Sequence, residues 1–515
     1  MTMARSMRAA ALALALTASP VLAQEQPPRP AEEDMFGKKE EAPKKEAPAA
    51  DTNTGPVTTP ETPPPAQPAP PAGPVTGADT RDEAVLGRPG EGPKLSEEVA
   101  PENPLTIGGQ FYLRGQTSGQ QGQAAQNWSV SSPSLMDVYF DARPNNRVRG
   151  FVMGRMFFDP TIPRPFNGIG GFDTGAAGLG GATMPTQQGP RVALDQYWLR
   201  FDLKHTVFVT AGRQHVNWSP SRVWQPTDFL HVVKRNPLDV FDARTGSSML
   251  KLHVPWEDKG WNFYAYGITE NAGPTVSNLA GALRAEVVLG TAELRAGGLF
   301  RKSSKPRWAV DISFGLWDFD FYGELALRYG SEIDRLRYNP GAPLPPDASV
   351  PQILDARYPG TFRESGIRPQ TTGGVTYSHQ YADKDVWTLG AEYFYNSLGY
   401  DDPGIYPGLL AKSSQLSQPP TFFYLGRQYG ALFLLVPAPY SWDLTTFTFT
   451  TLGNLSDQSF ISRIDYSYTL LTHLRFEAFA AIHYGHQNGE FRLGIPELNV
   501  KPGLVDLGVA LRVSI

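Results

Sequence analysis

The sequence predicts a transmembrane antiparallel β-barrel of about eighteen strands, with sixteen as the alternative, preceded by a disordered Pro-rich arm. Three observations predict it. The chain ends on a strand in which Leu507, Val509, Leu511, Val513 and Ile515 fall on one face and Asp506, Gly508, Ala510, Arg512 and Ser514 on the other. The same alternation recurs from about residue 105 onwards, and the connections between these segments are alternately short and long. An apolar-out, polar-in wall suits a closed barrel between lipid and a wet lumen, because closure pairs every backbone N–H and C=O while half of the side chains meet hydrocarbon.

Residues 1–23 read as a secretory signal: Arg5 and Arg8 precede the apolar run Ala9 to Thr17, and Val21-Leu22-Ala23 gives a small-residue cleavage site before Gln24. No later stretch reaches the roughly 20 apolar residues of a spanning helix. A mean hydropathy of -0.31 accords with a wall whose inner face is polar. Cysteine is absent, which excludes disulfides, thiol catalysis and cysteine-ligated metals.

Residues 24–104 hold 18 prolines and a single aromatic, Phe36. Such a composition buries too little apolar surface to offset chain entropy, so a disordered periplasmic arm is expected. Lys38, Lys39, Lys44 and Lys45 are its candidates for contact with a periplasmic protein or the cell wall; the competing reading is a passive spacer. The arm carries 8 Lys/Arg against 16 Asp/Glu, whereas residues 105–515, the barrel, carry 36 against 35. No nucleic-acid-binding face is expected from that balance.

Strands are expected at 105–117, 133–143, 147–158, 191–203, 206–215, 244–255, 261–270, 281–290, 293–302, 307–316, 319–330, 373–381, 386–396, 427–436, 443–453, 458–469, 472–485 and 503–515. With a periplasmic arm the first strand runs outward, and connections after even-numbered strands should be tight turns. Pro144-Asn145-Asn146, Lys204-His205, Thr291-Ala292, Trp317-Asp318 and Leu470-Leu471 are tight, whereas the insertions 159–190, 216–243, 331–372 and 397–426 all follow odd-numbered strands. An even strand number follows, with both termini periplasmic and the barrel set in the lipid of a Gram-negative outer membrane.

Parity assigns the faces. It turns inward Arg200, Asp202, Arg284, Glu286, Glu293, Arg295, Arg301, Glu324, Arg328, Glu392, Arg463, Asp465, Arg475, Glu477 and Arg512, since an Arg at mid-bilayer costs about 2–4 kcal/mol. Parity is ambiguous for 206–215, where Arg213 fits either face. The near-equal signs read either as a selectivity surface or as ion pairs bracing the wall. Tyr197 and Trp198, Trp256 and Trp261, Tyr264 and Tyr266, Trp387, Tyr393 and Tyr395, and Tyr466 and Tyr468 are expected to form interfacial girdles, with inward stacking platforms as the alternative.

The connection after the fifth strand is unusual. Ala211-Gly212-Arg213-Gln214, Trp218, Trp224-Gln225-Pro226-Thr227-Asp228 and Asn236-Pro237-Leu238-Asp239 lead through Arg244-Thr245-Gly246 into the next strand. Trp on a mobile loop would expose apolar surface, so the segment is expected to fold inward as a constriction through Arg213, Gln214, Trp218, Arg222, Trp224, Asp228 and Asp239. A cap that never meets a solute is the other reading. From Ala211 to Pro255 the run resembles porin-like outer-membrane barrels, the alginate-exporter type among them, in which a strand ending Gly-Arg-Gln is followed by a Trp-containing loop and a Pro-Thr-Asp element. The resemblance implies an eighteen-stranded channel for a solute or an exported polysaccharide, with loops folded into the lumen. Two features depart from it: the last residue is Ile515 rather than an aromatic, and the luminal Arg excess implied for a polyuronate exporter is missing.

Catalytic motifs are absent: there is no Gly-x-Ser-x-Gly elbow, His-Glu-x-x-His pair or phosphate loop. His473, His483 and His486 are the nearest set, and His486 lies opposite the other two by parity, so neither a metal nor another cofactor is expected. The leading expectation is a passive outer-membrane channel rather than an enzyme, with a slight preference for polysaccharide export. A general diffusion porin is one alternative; a plugged barrel anchoring a surface or envelope-spanning assembly is the other.

Overall fold

The computed structural model describes residues 104–161 and 190–515, apart from 232, 240–241, 243, 274, 303, 332–333, 382–384, 414–415, 417–419 and 496–499. The expected signal segment, the Pro-rich arm and nearly all of the 159–190 insertion lie outside the described residues.

Eighteen strands form one antiparallel wall: β1 Leu105–Gln120, β2 Ser134–Asn145, β3 Val148–Phe158, β4 Arg191–Leu203, β5 Val207–Gln214, β6 Ser247–Trp256, β7 Trp261–Ile268, β8 Ala280–Leu289, β9 Ala292–Arg301, β10 Arg307–Leu316, β11 Phe319–Tyr329, β12 Ile367–Gln380, β13 Val386–Asn396, β14 Gln428–Pro437, β15 Thr445–Asn454, β16 Ser459–Leu471, β17 Leu474–Gly485 and β18 Gly503–Ser514. Each strand pairs with its sequence neighbours. The wall closes where β1 pairs with β18, from Gln110 opposite Ser514 to Gln120 opposite Gly503. Closure leaves no open sheet edge to satisfy. A short strand, Ser129–Ser131, extends the ladder along the upper part of β1.

The longest connections all follow odd-numbered strands and emerge at one rim, here the loop rim; the tight ones gather at the other, the turn rim. β12 begins six residues earlier than the sequence pattern indicates, at Ile367 rather than 373. Pro369 removes one ladder N–H, and Gln370, Thr371 and Thr372 supply no outward apolar signal, so the pairing with β11 was not visible in the residue types.

Outward positions are apolar: Ile107, Phe111 and Leu113 on β1, Leu250, Leu252 and Val254 on β6, and Leu507, Val509 and Leu511 on β18 are all exposed. An aromatic belt runs along the turn rim. Trp256 meets Trp261 edge-on at 5.7 Å, Phe319 and Tyr377 lie 4.9 Å apart, Tyr377 meets Trp387 at 5.5 Å, and Phe447 meets Tyr466 at 5.3 Å. Three residues expected in the girdles instead face the lumen. Trp198 is buried in a stack with Phe151, Tyr266 packs against Trp218, and the Tyr264 hydroxyl donates to Glu286. Alternation explains this: Phe263 and Tyr197 take the outward positions beside them.

Candidate functional site: a loop docked inside the barrel

The described residues of the connection between β5 and β6, 215–246, pack against the inner wall of the barrel, and its two tryptophans are almost without solvent exposure, Trp218 at 1% and Trp224 at 0%. Trp224, Val223 and Leu238 join Phe394, Tyr429, Phe433, Leu452 and Ile461 of β13 to β16 in one apolar cluster. Trp218, Phe229 and Leu230 join Met249, Tyr266, Ile268 and Leu299 of β6 to β9 in another. Burying indole rings against the inner wall removes the apolar surface that the loop would otherwise present to water.

Two wall carboxylates hold the loop backbone. Glu392 of β13 accepts the N–H groups of Arg222 at 3.0 Å, Val223 at 3.2 Å and Trp224 at 2.8 Å, together with the Tyr322 hydroxyl at 2.9 Å. Glu324 of β11 accepts the N–H of Ser221 at 2.9 Å, the N–H and hydroxyl of Thr227 at 3.2 and 2.6 Å, and the Ser219 hydroxyl. Hydrogen bonds to a buried charged acceptor are among the stronger ones in proteins. Gly374 of β12 makes the Glu392 site possible, because a Cβ there would stand 2.3 Å from the Tyr322 ring that crosses it.

The rest of the wall is tied in as well. Arg284 of β8 donates to the Trp218 carbonyl at 2.6 Å and stacks over its ring at 5.3 Å. Arg463 of β16 donates to the Leu238 carbonyl at 3.0 Å, and beyond the wall Trp224 Nε1 donates at 3.0 Å to the carbonyl of Phe423, in the connection between β13 and β14. At the loop's two ends Asp195 of β4 contacts His215 Nε2 at 3.0 Å and accepts the N–H of Gly246 at 3.1 Å. Asp195 itself pairs with Arg155 at 3.0 Å, and Arg155 with Asp137 at 2.9 Å.

Inside the loop, Asp228 meets His231 and Arg244, each at 2.9 Å, and Arg244 meets Asp242 at 2.6 Å. Burial alone would raise both carboxyls, but His231 and Arg244 hold Asp228 well below the usual range, and Arg244 does the same for Asp242. For Asp239 burial outweighs the opposing charge of Arg114 and pushes the carboxyl up to about 7. Burial, then the charge of Arg328, lowers Lys234 to about 7.

Of the residues singled out from the sequence, Trp218, Arg222, Trp224, Asp228 and Asp239 lie in this docked loop, and Gln214, at the end of β5, faces inward. Arg213 does not. Its ladder partner is Ser248, on the outward face shared with Leu250 and Leu252, and at the loop rim it pairs with Glu270 at 3.6 Å and bonds Thr245 at 2.9 Å. The parity of Gln214 opposite Ser247 fixes this, since adjacent strand residues take opposite faces.

The inner face carries Arg200, Arg284, Glu286, Glu293, Arg295, Arg301, Glu324, Arg328, Glu392, Arg463, Asp465, Arg475, Glu477 and Arg512, as their ladder partners establish. Many are mutually paired: Arg284 with Glu286 at 3.1 Å and Asp311 at 3.2 Å, Arg295 with Asp311 at 3.3 Å, and Arg512 with Glu477 at 2.9 Å. Asp195 was invisible to the parity count because β4 carries a bulge: Met153 opposes Gln196 and Gly154 opposes Leu194, so Asp195 and Gln196 both turn inward. Arg155 and Asp137 could have been found by plain alternation. His483 is committed to Asp506 and to the Phe491 carbonyl, each at 2.6 Å.

No family model and no curated protein matches this chain. Among solved structures it is similar to a triple mutant of the Rhodopseudomonas blastica porin, at 9% identity and TM-score 0.36, covering 80% of this chain and 100% of that one. It is also similar to OccAB4 of Acinetobacter baumannii, at 7% identity and TM-score 0.45, covering 81% of this chain and 100% of the other.

Proposed function

We propose that this chain is an outer-membrane channel for small solutes, in which residues 215–246 narrow the lumen and set what passes. The observation that carries this reading is the docking of that loop on Glu324 and Glu392: a segment fastened to the wall by buried carboxylates has a fixed position in the path of a solute. Paired charges along the inner face, such as Arg512 with Glu477 and Arg284 with Asp311, cancel most of each other's field. The reading is therefore diffusion with weak charge selection, and export of a polyanionic polysaccharide is not favoured. The arm 24–104 is assigned reach or partner contact at the periplasmic side.

A second reading has its own support. The loop is bonded to β3, β4, β8, β11, β12, β13 and β16, contacts spread around much of the circumference, which suits a plug in a barrel that anchors an assembly.

Single-channel recording of the full chain in a planar bilayer, beside a version with 218–243 replaced by a short Gly/Ser linker, tests both. Steady openings from the intact chain, enlarged in the loop-less one, support the channel. A silent intact chain that conducts only after loop removal supports the plug, and silence from both overturns the channel reading.

A further inference from the structure

The connections 330–366 and 397–427 build a cap at the loop rim with its own apolar core, in which Leu336, Tyr358, Ile405, Tyr406, Leu409 and Leu425 pack together. A cleft of about 570 Å³ opens in this cap, lined by buried Leu336 and Ile405 and by exposed Pro359, Arg337, Asn339, Asp401 and Asp402. Several of its polar groups have partners within the cap. Arg335 donates to the carbonyls of Leu398 at 2.6 Å and Gly399 at 3.2 Å and lies 4.3 Å over the Tyr400 ring. Arg337 lies over the Phe362 ring at 5.6 Å. Arg427 pairs with Asp401 at 2.8 Å, and Asp402 accepts the N–H of Gly404 at 2.8 Å.

The charges of this cleft compensate one another. Arg335 has Glu364 at 3.5 Å, Arg427 has Asp401, and Arg337 shares the rim with Asp402. An anion site gathers donors alone. Here the donors Arg337 and Asn339 stand beside the acceptors Asp401 and Asp402, which Arg427 and the Gly404 N–H hold, over buried Leu336 and Ile405. That is the complement of hydroxyl groups, which donate and accept at once, carried on a ring with an apolar C–H face. We propose that the cap cleft binds an uncharged sugar unit, either free in solution or displayed on a neighbouring lipid.

Saturation-transfer NMR on the full chain in detergent tests this. Cellobiose, maltose and lactose serve as free sugars, a neutral outer-core oligosaccharide released from lipopolysaccharide as the lipid-borne source, and glucuronate and glucosamine as charged controls. The expected result is transfer to ring C–H protons of a neutral disaccharide or of the core. Binding should weaken about ten-fold in Arg337→Ala or Asn339→Ala, the loss of one good hydrogen bond, and should persist when 218–243 is replaced by a linker. Both side chains are exposed, so their truncation leaves the cap folded. Transfer to no uncharged sugar, binding of a charged control alone, or binding lost with the loop but kept in the rim variants overturns the proposal.

Discussion

The Glu392 carboxylate accepts the backbone N–H of Trp224 at 2.8 Å across 168 residues of chain. It also holds the next two N–H groups upstream, so a single wall side chain satisfies three donors of a loop that has no regular structure to satisfy them internally. Glu392→Ala orphans these donors, each costing about 1–3 kcal/mol if it stays buried. The expected outcome is release of the loop, seen as larger single-channel conductance and faster proteolysis within 215–246, while the wall strands persist. Glu392→Gln keeps one acceptor oxygen and should fall between.

Trp224→Ala empties the space shared with Phe394, whose ring lies 5.7 Å away, and Tyr429 at 5.4 Å. A fully buried Trp reduced to Ala costs about 3–5 kcal/mol where the site cannot collapse. The cost falls on docking of the loop, not on the wall hydrogen bonds. Heat-modified migration of the barrel should be unchanged, and loop proteolysis should accelerate by more than ten-fold.

Arg213 separates face from motif. Because it lies outward, beside Glu270, Arg213→Ala should leave conductance and ion selectivity unaltered, measured as reversal potential across a salt gradient. A shifted reversal potential would show that the residue reaches the lumen after all.

At the loop rim Glu490 and Asp457 share one amide: Asn454 Nδ2 donates to Glu490 at 2.9 Å and to Asp457 at 2.8 Å, while Tyr429 donates to Glu490 at 2.6 Å and Tyr406 faces both acids. Burial, then the charge of Asp457, pushes Glu490 up to about 8 from its ordinary 4.5. Between those values the folded knot keeps a proton that the unfolded chain has lost, so its stability is intact below the lower value and declines as pH rises through the upper one. Trypsin should cut after Arg427 and Arg492 more readily at about pH 9 than at about pH 6, corrected for its rate on denatured chain. Glu490→Gln should flatten that dependence.

Lys234 behaves oppositely. With its ammonium lowered to about 7, the folded loop has released a proton that the unfolded chain keeps until its ordinary 10.5. Docking should therefore strengthen as pH rises from about 7 towards 10. Lys234→Met, of similar length and without charge, should remove this trend in protease protection of 215–246.

The sequence alone determined the wall. Alternation in segments such as Leu504 to Ile515 requires two unlike solvents, and the spacing of tight and long connections sets an even number of antiparallel strands, because a strand must cross the apolar layer each time. It also marked the loop, since Trp218 and Trp224 need burial wherever they are. Only the tertiary structure decided where that burial occurs and which groups receive the loop. Glu324 and Glu392 read as ordinary inward carboxylates until their partners, backbone N–H groups 97 to 170 residues away, are brought against them. Side-chain parity carries no information about backbone donors. The bulge that turns Asp195 inward and the strand end that turns Arg213 outward are likewise decided by register with β3 and β6, a property of pairs of strands that neither strand encodes by itself.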